Sequence, residues 1–181
     1  VLPRRGGEPI AGCMTRLAIF DLDGTLVDSA PDLHAALDRL MATRGLPPFD
    51  RAEVVAMIGD GAKVLVERAL AARRLPFDAA ALDHFLADYT AHAAVETRLF
   101  PGIEAALDTI ARDGWRMAVC TNKPVGAARD LLGALGLLDR FAAIGGGDSF
   151  PVRKPDPAHL LATIEQAGGC LLYTSPSPRD S

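Results

Sequence analysis

Two aspartates, Asp21 and Asp23, follow directly after the short apolar run Leu17–Phe20, and a Gly24-Thr25 turn comes next. A short apolar run closed by a turn signal is typical of a buried parallel strand, and ligands bind beyond the carboxyl ends of such strands. Two carboxylates at that edge repel each other and lose hydration unless a cation lies with them. The pair therefore predicts a site for a hard, oxygen-seeking cation.

Two more polar clusters follow predicted strands. Thr121 and Asn122 come after the apolar run 116–120. Lys154 lies in the loop after the run 141–144. Because the carboxyl ends of parallel strands meet at one edge, we expect these side chains to share a pocket with the two aspartates.

Such a set of groups suits phosphoryl transfer. A cation and an ammonium neutralise the phosphate charge that repels an attacking carboxylate, and amides at a helix start bind phosphate oxygens. Each later cluster also has a plainer interpretation. Thr121 and Asn122 both favour helix N-caps, and an isolated Lys154 would be a solvated loop residue. Their position behind the Asp21 strand favours the functional interpretation.

The surrounding pattern predicts the elements that position these groups. Apolar residues at helical spacing indicate four helices between the first strand and residue 96, and three more alternate with the later strands. Alternating strands and helices form a parallel sheet with right-handed crossovers. The expected fold is α/β, a doubly wound parallel sheet with an inserted all-helical unit.

Three motifs carry a resemblance to a known family. They are Asp21-Leu-Asp-Gly-Thr-Leu-Val-Asp-Ser29, Thr121-Asn-Lys-Pro124 and Lys154-Pro-Asp-Pro157. They resemble the first three signatures of the haloacid dehalogenase superfamily. The resemblance implies a Rossmann-like core at 14–27 and 97–169, with a helical cap at 28–96 between its two parts.

The resemblance also implies roles. Asp21 resembles the nucleophile that forms an aspartyl-phosphate, and Asp23 the general acid/base. Mg²⁺ would bind the Asp21 side chain and the Asp23 backbone carbonyl. Thr121 and the Asn122 amide would bind phosphate oxygens, and Lys154 would pair with the phosphate and with Asp21.

Residues of the cap are implied as substrate contacts. These are Gly59, Asp60 and Gly61, otherwise a plain turn, and Lys63 as a partner for a substrate carboxylate.

Within the superfamily, the chain resembles the bacterial phosphatases that hydrolyse 2-phosphoglycolate. The supporting stretches are Asp28-Ser-Ala-Pro-Asp32, Ile58-Gly-Asp-Gly-Ala62, Val66-Glu-Arg-Ala-Leu70 and Gly145-Gly-Gly-Asp148. The alternatives are a phosphatase for a sugar phosphate such as N-acetylmuramic acid 6-phosphate, a pyrophosphatase, and a β-phosphoglucomutase-like transferase. The residues of the cap determine which of these substrates is used, and the fold alone does not.

Both ends of the chain look foreign to this fold. Residues 1–13 lack periodicity and are expected to be a non-native or disordered leader. Residues 170–180 are identical, letter for letter, to the translation of a transposase-type sequencing adapter. The fourth signature of the family, an acidic Gly-Asp-x-x-x-Asp, should follow Gly169 but is replaced by this tail at 170–181. We therefore expect a truncated, inactive phosphatase, and an inactive fragment is the alternative from another class.

Composition narrows the possible partners. The net charge is −4 without a basic run, which argues against nucleic acid, and no apolar segment is long enough to span a bilayer. Three cysteines without regular spacing suit a reducing cytoplasm. We expect a cytoplasmic monomer or homodimer that acts on a small phosphorylated metabolite. The four histidines fall in helical patterns and are expected at the surface.

Overall fold

The computed structural model describes residues 16–92 and 94–169, so the expectations for 1–13 and 170–181 lie outside the described residues. The described elements are, in chain order, β1 (Leu17–Phe20), β2 (Val27–Asp28), α1 (Ala30–Ala42), α2 (Arg51–Met57), α3 (Ala62–Ala72), α4 (Ala79–Ala91), β3 (Arg98–Leu99), α5 (Ile103–Arg112), β4 (Arg116–Cys120), α6 (Val125–Ala134), a 3-10 turn (Leu138–Arg140), β5 (Ala143–Gly145) and α7 (Pro157–Gln166).

The main sheet has the order β1-β4-β5, and both pairings are parallel. Phe20 aligns with Val119, and Cys120 aligns with Gly145. The residue that follows each strand therefore stands at the same edge of the sheet. This is the predicted α/β arrangement, and it brings the polar clusters to one edge.

The sheet is held by apolar packing against its helices. Buried side chains from the strands, from α5 and α6, and from the turn after β1 form one core, with Leu22, Leu26, Leu107, Val119, Leu131 and Leu132 at its centre. Cys120 is buried at the end of β4. Burial of these apolar side chains holds the strands and helices of the core in place.

The helices α1–α4 pack around a separate core. Its most buried members are Leu37, Leu40, Met41, Val66, Leu70 and Phe85. Phe85 and Tyr89, one turn apart on α4, stack with their ring centroids 6.0 Å apart. We call this helical unit the cap and the sheet with its helices the core domain.

Two short strands connect the cap to the core domain. In this antiparallel ribbon, β2 pairs with β3, with Val27 opposite Leu99 and Asp28 opposite Arg98. The sequence analysis did not predict the ribbon, because two-residue strands are too short to show a periodic pattern.

Asp32 holds the chain on both sides of the cap together. Its carboxylate accepts hydrogen bonds from the backbone N–H of Glu96 and Thr97, both at 2.9 Å, and from the Thr97 hydroxyl at 2.7 Å. Burial alone would raise the pKa of Asp32, but the hydrogen bonds from Thr97 and Glu96 outweigh it and lower the pKa. The carboxylate is therefore stabilised in its charged form inside the protein.

Two expectations about single elements were wrong. The third strand begins at Ala143 rather than 141, because the Phe141 N–H bonds to Leu138 and closes the 3-10 turn. His159, expected at the surface, is fully buried on α7. None of the helices in the described ranges is long and apolar enough to cross a membrane.

Candidate active site

Asp21 stands at the end of β1, with its side chain 40% exposed. Its Oδ1 atom accepts a hydrogen bond from the Leu22 N–H at 2.8 Å and lies 2.8 Å from the Lys154 ammonium. The ion pair joins the end of β1 to the loop between β5 and α7, which is far away in sequence. These two contacts orient the Asp21 carboxylate, and the rest of the group is open to a ligand.

Asp23 is more enclosed and has a different cation. The Lys123 ammonium lies 3.0 Å from Oδ1 and 3.2 Å from Oδ2, and the Ser29 hydroxyl donates to Oδ1 at 2.6 Å. Asp23 was expected to share a pocket with Asp21 and the later polar clusters. The structure adds a direct ammonium neighbour, Lys123, that was not expected.

Lys123 is the main participant that the sequence analysis missed. Its side chain is buried, and its ammonium donates to the Tyr89 hydroxyl of the cap at 2.8 Å in addition to Asp23. Burial alone would lower the pKa of Lys123, but the Asp23 carboxylate and the Tyr89 hydroxyl outweigh it and raise the pKa. Burial also raises the pKa of the Tyr89 hydroxyl, which stays protonated. In the sequence, the only indication of a role for Lys123 was its position next to Asn122.

Thr121 and Asn122 occupy the turn after β4. The N-cap of α6 is Pro124, so neither residue plays the simple capping role that was the plainer interpretation. Thr121 is buried, and its hydroxyl accepts a hydrogen bond from the Lys123 N–H at 3.1 Å. The turn therefore folds back on itself and faces the two aspartates.

The Asn122 side chain joins three segments. Its amide group donates to the Lys154 carbonyl at 3.2 Å and reaches the Gly59 carbonyl of the cap at 3.5 Å. The backbone at Gly147 also lies close to the backbone of Asn122. Only glycine fits there, since a Cβ on Gly147 would overlap the Asn122 carbonyl oxygen. Asn122 is thus held between the cap and the loop after β5.

The four cap residues predicted as substrate contacts divide into two groups. Gly59 and Gly61 line the cavity between the cap and the core domain. Asp60 instead forms an ion pair with Arg68 at 2.5 Å. Lys63 pairs with Glu67 at 3.7 Å and lies over the Phe77 ring, outside the lining of this cavity. The two glycines therefore line this cavity, Asp60 lines a neighbouring open cavity together with Lys154, and Lys63 lines neither of the two.

The cavity itself has a polar floor and an apolar roof. It encloses about 50 Å³. The floor is formed by Asp21, Asp23, Thr121, Asn122 and Lys123. The cap contributes Leu33, Ile58, Leu65, Phe85, Leu86 and Tyr89. Such a space suits a small ligand whose charged end meets the sheet edge.

The fit of the site to Mg²⁺ follows from its donor atoms. Residues 16–92 and 94–169 contain no group of three or more His, Cys, Asp or Glu side chains that could hold a metal ion. Mg²⁺ is, however, often held by one or two carboxylates together with water and a substrate phosphate. The open Asp21 carboxylate and the Asp23 backbone carbonyl fit a site of that kind.

Comparisons with known proteins show what this chain is similar to. Residues 15–173 match the model of the haloacid dehalogenase-like hydrolase family. A phosphoglycolate phosphatase from Cereibacter sphaeroides is 53% identical over 149 residues, which cover 80% of this chain and 68% of that protein. A phosphoglycolate phosphatase from Agrobacterium fabrum is 45% identical over 160 residues, covering 86% and 69%.

Solved structures share the fold. The crystal structure of a predicted phosphoglycolate phosphatase from Haemophilus somnus superposes with a TM-score of 0.76 at 30% identity, covering 86% of this chain and 72% of that one. CbbY from Rhodobacter sphaeroides, solved in complex with phosphate, superposes with a TM-score of 0.66 at 25% identity, covering 86% and 73%.

Proposed function

The chain belongs to the family of haloacid dehalogenase-like hydrolases, which are enzymes, and from that premise we propose that it hydrolyses 2-phosphoglycolate to glycolate and phosphate. The observation that carries the proposal is the Asp21 carboxylate, open to the cavity and paired with Lys154 at 2.8 Å. An oriented carboxylate next to a fixed ammonium is suited to attack a phosphorus atom.

In the first half of the reaction, an Asp21 oxygen forms a bond to phosphorus and the bond to the ester oxygen breaks. The leaving alkoxide takes its proton from Asp23, and glycolate departs. In the second half, a water molecule gives a proton back to Asp23 and its oxygen bonds to phosphorus. Free phosphate leaves, and the Asp21 carboxylate is restored.

Lys123 is the charged partner of Asp23 in this scheme. Its ammonium lies 3.0 Å and 3.2 Å from the two Asp23 oxygens, and an anionic substrate in the same cavity would meet this ammonium as well. Asp23 gives up a proton in the first half of the reaction and accepts one in the second.

Phosphate binding is assigned to the turn after β4 and to Lys154. Thr121 and the Asn122 backbone amide would donate to phosphate oxygens, and the Lys154 ammonium would balance their charge. Mg²⁺, held by the Asp21 carboxylate and the Asp23 backbone carbonyl, would supply further charge neutralisation. CbbY, which shares the fold, was solved in complex with phosphate, and this supports a phosphate-binding role.

The cavity supports a small substrate. Its cap wall carries six aliphatic or aromatic side chains and the Tyr89 hydroxyl, so few side chains there could satisfy the hydroxyl groups of a sugar. Buried hydroxyl groups left without partners lower affinity. A two-carbon acid leaves few such groups, and among the described lining residues Lys123 is the cation that can meet its carboxylate. We place this activity in the cytoplasm, where the free Cys120 thiol would stay reduced.

A phosphatase panel tests the proposal. The chain is assayed with Mg²⁺ against 2-phosphoglycolate, a sugar phosphate, N-acetylmuramic acid 6-phosphate and pyrophosphate, with phosphate release as the readout. We expect kcat/KM to be highest for 2-phosphoglycolate. A higher value for any other member would overturn the substrate assignment. A folded chain that releases phosphate from none of them would overturn the activity and would support the inactive fragment that the sequence analysis gave as the alternative.

A further inference from the structure

His159 is a fully buried histidine that the reaction scheme does not use. It lies in the first turn of α7, and its ring meets the edge of Phe150 at a centroid distance of 5.7 Å. Both ring nitrogens have polar partners. Nδ1 lies 3.1 Å from the Lys154 backbone nitrogen, and Nε2 lies 3.1 Å from the Gly146 carbonyl oxygen.

These partners fix the tautomer of the ring. A backbone N–H can only donate, so Nδ1 must accept from Lys154. A carbonyl oxygen can only accept, so Nε2 must carry the hydrogen and donate to Gly146. His159 therefore uses one ring nitrogen as an acceptor and the other as a donor.

The consequence falls on Lys154. Its N–H is held by His159, and its carbonyl oxygen is held by the Asn122 side chain at 3.2 Å. Its ammonium reaches Asp21 at 2.8 Å. Two side chains from other elements thus hold the backbone of the residue whose charge faces the reacting carboxylate.

We propose that His159 is a positioning residue for Lys154. The expected effect of His159 on activity rests on the proposed function, whereas its effect on the Lys154 backbone does not. The ring does not touch Asp21 or the cavity floor. It acts by fixing the Lys154 backbone between the end of β5 and α7, so that the ammonium lies at the distance that the reaction needs. Shifts of about 1 Å in such groups can cost about 100-fold in rate.

Two variants separate the two hydrogen bonds of the ring. In His159→Asn, the amide oxygen occupies the position of Nδ1 and can still accept from Lys154. In His159→Gln, the longer side chain reaches the position of Nε2 and can still donate to Gly146, but the Lys154 N–H loses its acceptor. Leu160→Ala, at an exposed position next to His159, is the matched control.

We measure amide hydrogen exchange at Lys154 together with kcat/KM. We expect His159→Gln to accelerate exchange of this amide at least about 10-fold and to lower kcat/KM by about 10- to 100-fold, as other supporting side chains do. His159→Asn should change both by about 3-fold or less, since it keeps the acceptor. Equal effects of the two variants, or a Gln variant that behaves as the unsubstituted protein, would overturn the positioning role.

The two readouts keep this inference separate from the proposed function. If the unsubstituted protein hydrolyses no phosphomonoester, the proposed function fails, and the exchange rates alone decide the role of His159. If His159→Gln does not fold, His159→Asn decides it. Loss of Lys154 amide protection in a folded Asn variant then overturns the inference, and retained protection supports it.

Discussion

The Tyr89 hydroxyl of the cap accepts a hydrogen bond from the Lys123 ammonium at 2.8 Å, and that ammonium also pairs with Asp23. A residue of the cap therefore touches the cation that pairs with Asp23. Through this contact the cap supplies one of the hydrogen-bond partners that hold the Lys123 ammonium next to the site.

Tyr89→Phe tests this link. The variant keeps the ring that stacks on Phe85 and loses the hydroxyl, so we expect kcat/KM to fall about 5- to 10-fold, the effect of one hydrogen bond of about 1 kcal/mol. The melting temperature should change little. Thr90→Val, at an exposed position next to Tyr89, serves as the control. Unchanged kinetics in Tyr89→Phe would remove the proposed link.

Asp21→Asn tests the nucleophile. The amide has the same shape but does not attack phosphorus, so we expect turnover to fall by about 10³-fold or more. Circular dichroism should show a folded protein. Asp83→Asn, on an exposed face of α4, should retain activity. If Asp21→Asn keeps a tenth of the phosphatase rate, another group is the nucleophile.

Substitutions of Lys63 and Lys123 test which of the two lysines binds the carboxylate of the substrate. Because Lys63 pairs with Glu67 outside the cavity lining, Lys63→Met should leave KM for 2-phosphoglycolate within about 2-fold, as for most surface substitutions. Lys123→Met should lower kcat/KM about 100-fold, because it removes a buried charge partner worth about 3 kcal/mol. The reverse pattern in steady-state kinetics would restore the sequence-based assignment of Lys63.

Asp32→Asn tests the connection between α1 and the segment that leaves the cap. The lowered pKa of Asp32 means that its charged form stabilises the folded protein above the usual aspartate pKa, and that this stability is lost as the pH falls through the lowered value. We expect the variant to lose about 2 kcal/mol at pH 7, from hydrogen bonds to a charged group. In urea unfolding at lower pH, the difference between the two proteins should shrink. A difference that is constant from pH 7 to pH 3 would contradict this account.

Gly147→Ala tests the packing behind Asn122. The added methyl group overlaps the Asn122 carbonyl oxygen, which is backbone and cannot rotate away. We expect a loss of about 1–3 kcal/mol in unfolding free energy, typical of overpacking, together with reduced phosphatase activity. Gly133→Ala, in open space on α6, should instead stabilise the protein by about 0.5–1 kcal/mol. Equal melting temperatures for the two variants would count against a close contact at Gly147.

The residue pattern and the chain order were enough to predict which residues lie at the carboxyl edge of the sheet. The end of β1 at Phe20 and the end of β4 at Cys120 follow from apolar runs closed by polar turns, and parallel pairing then places Asp21 close to Thr121. The four cap helices follow from helical periodicity. These features depend on local pattern, which a sequence displays directly.

The partners of each site residue could not be predicted in the same way. Lys123 and His159 have no special local signal, since a lysine in a turn and a histidine in a helix are most often solvated. Their burial results from contacts with Tyr89, Asp23 and Gly146, which are distant in sequence or lie on another element. Lys63 is the opposite case, because its local position was suggestive but its ammonium pairs with Glu67 one turn further along the same helix. Its assignment as a substrate contact stays a prediction.

The ribbon of β2 and β3 has a consequence for how the protein folds. The strands β1 and β4 are neighbours in the sheet, although the whole cap lies between them in sequence. Pairing them in an unfolded chain means closing a long loop, at a considerable cost in entropy. A cap that folds first brings Val27 and Leu99 side by side and shortens that loop. We therefore expect the cap to set the rate at which the sheet assembles.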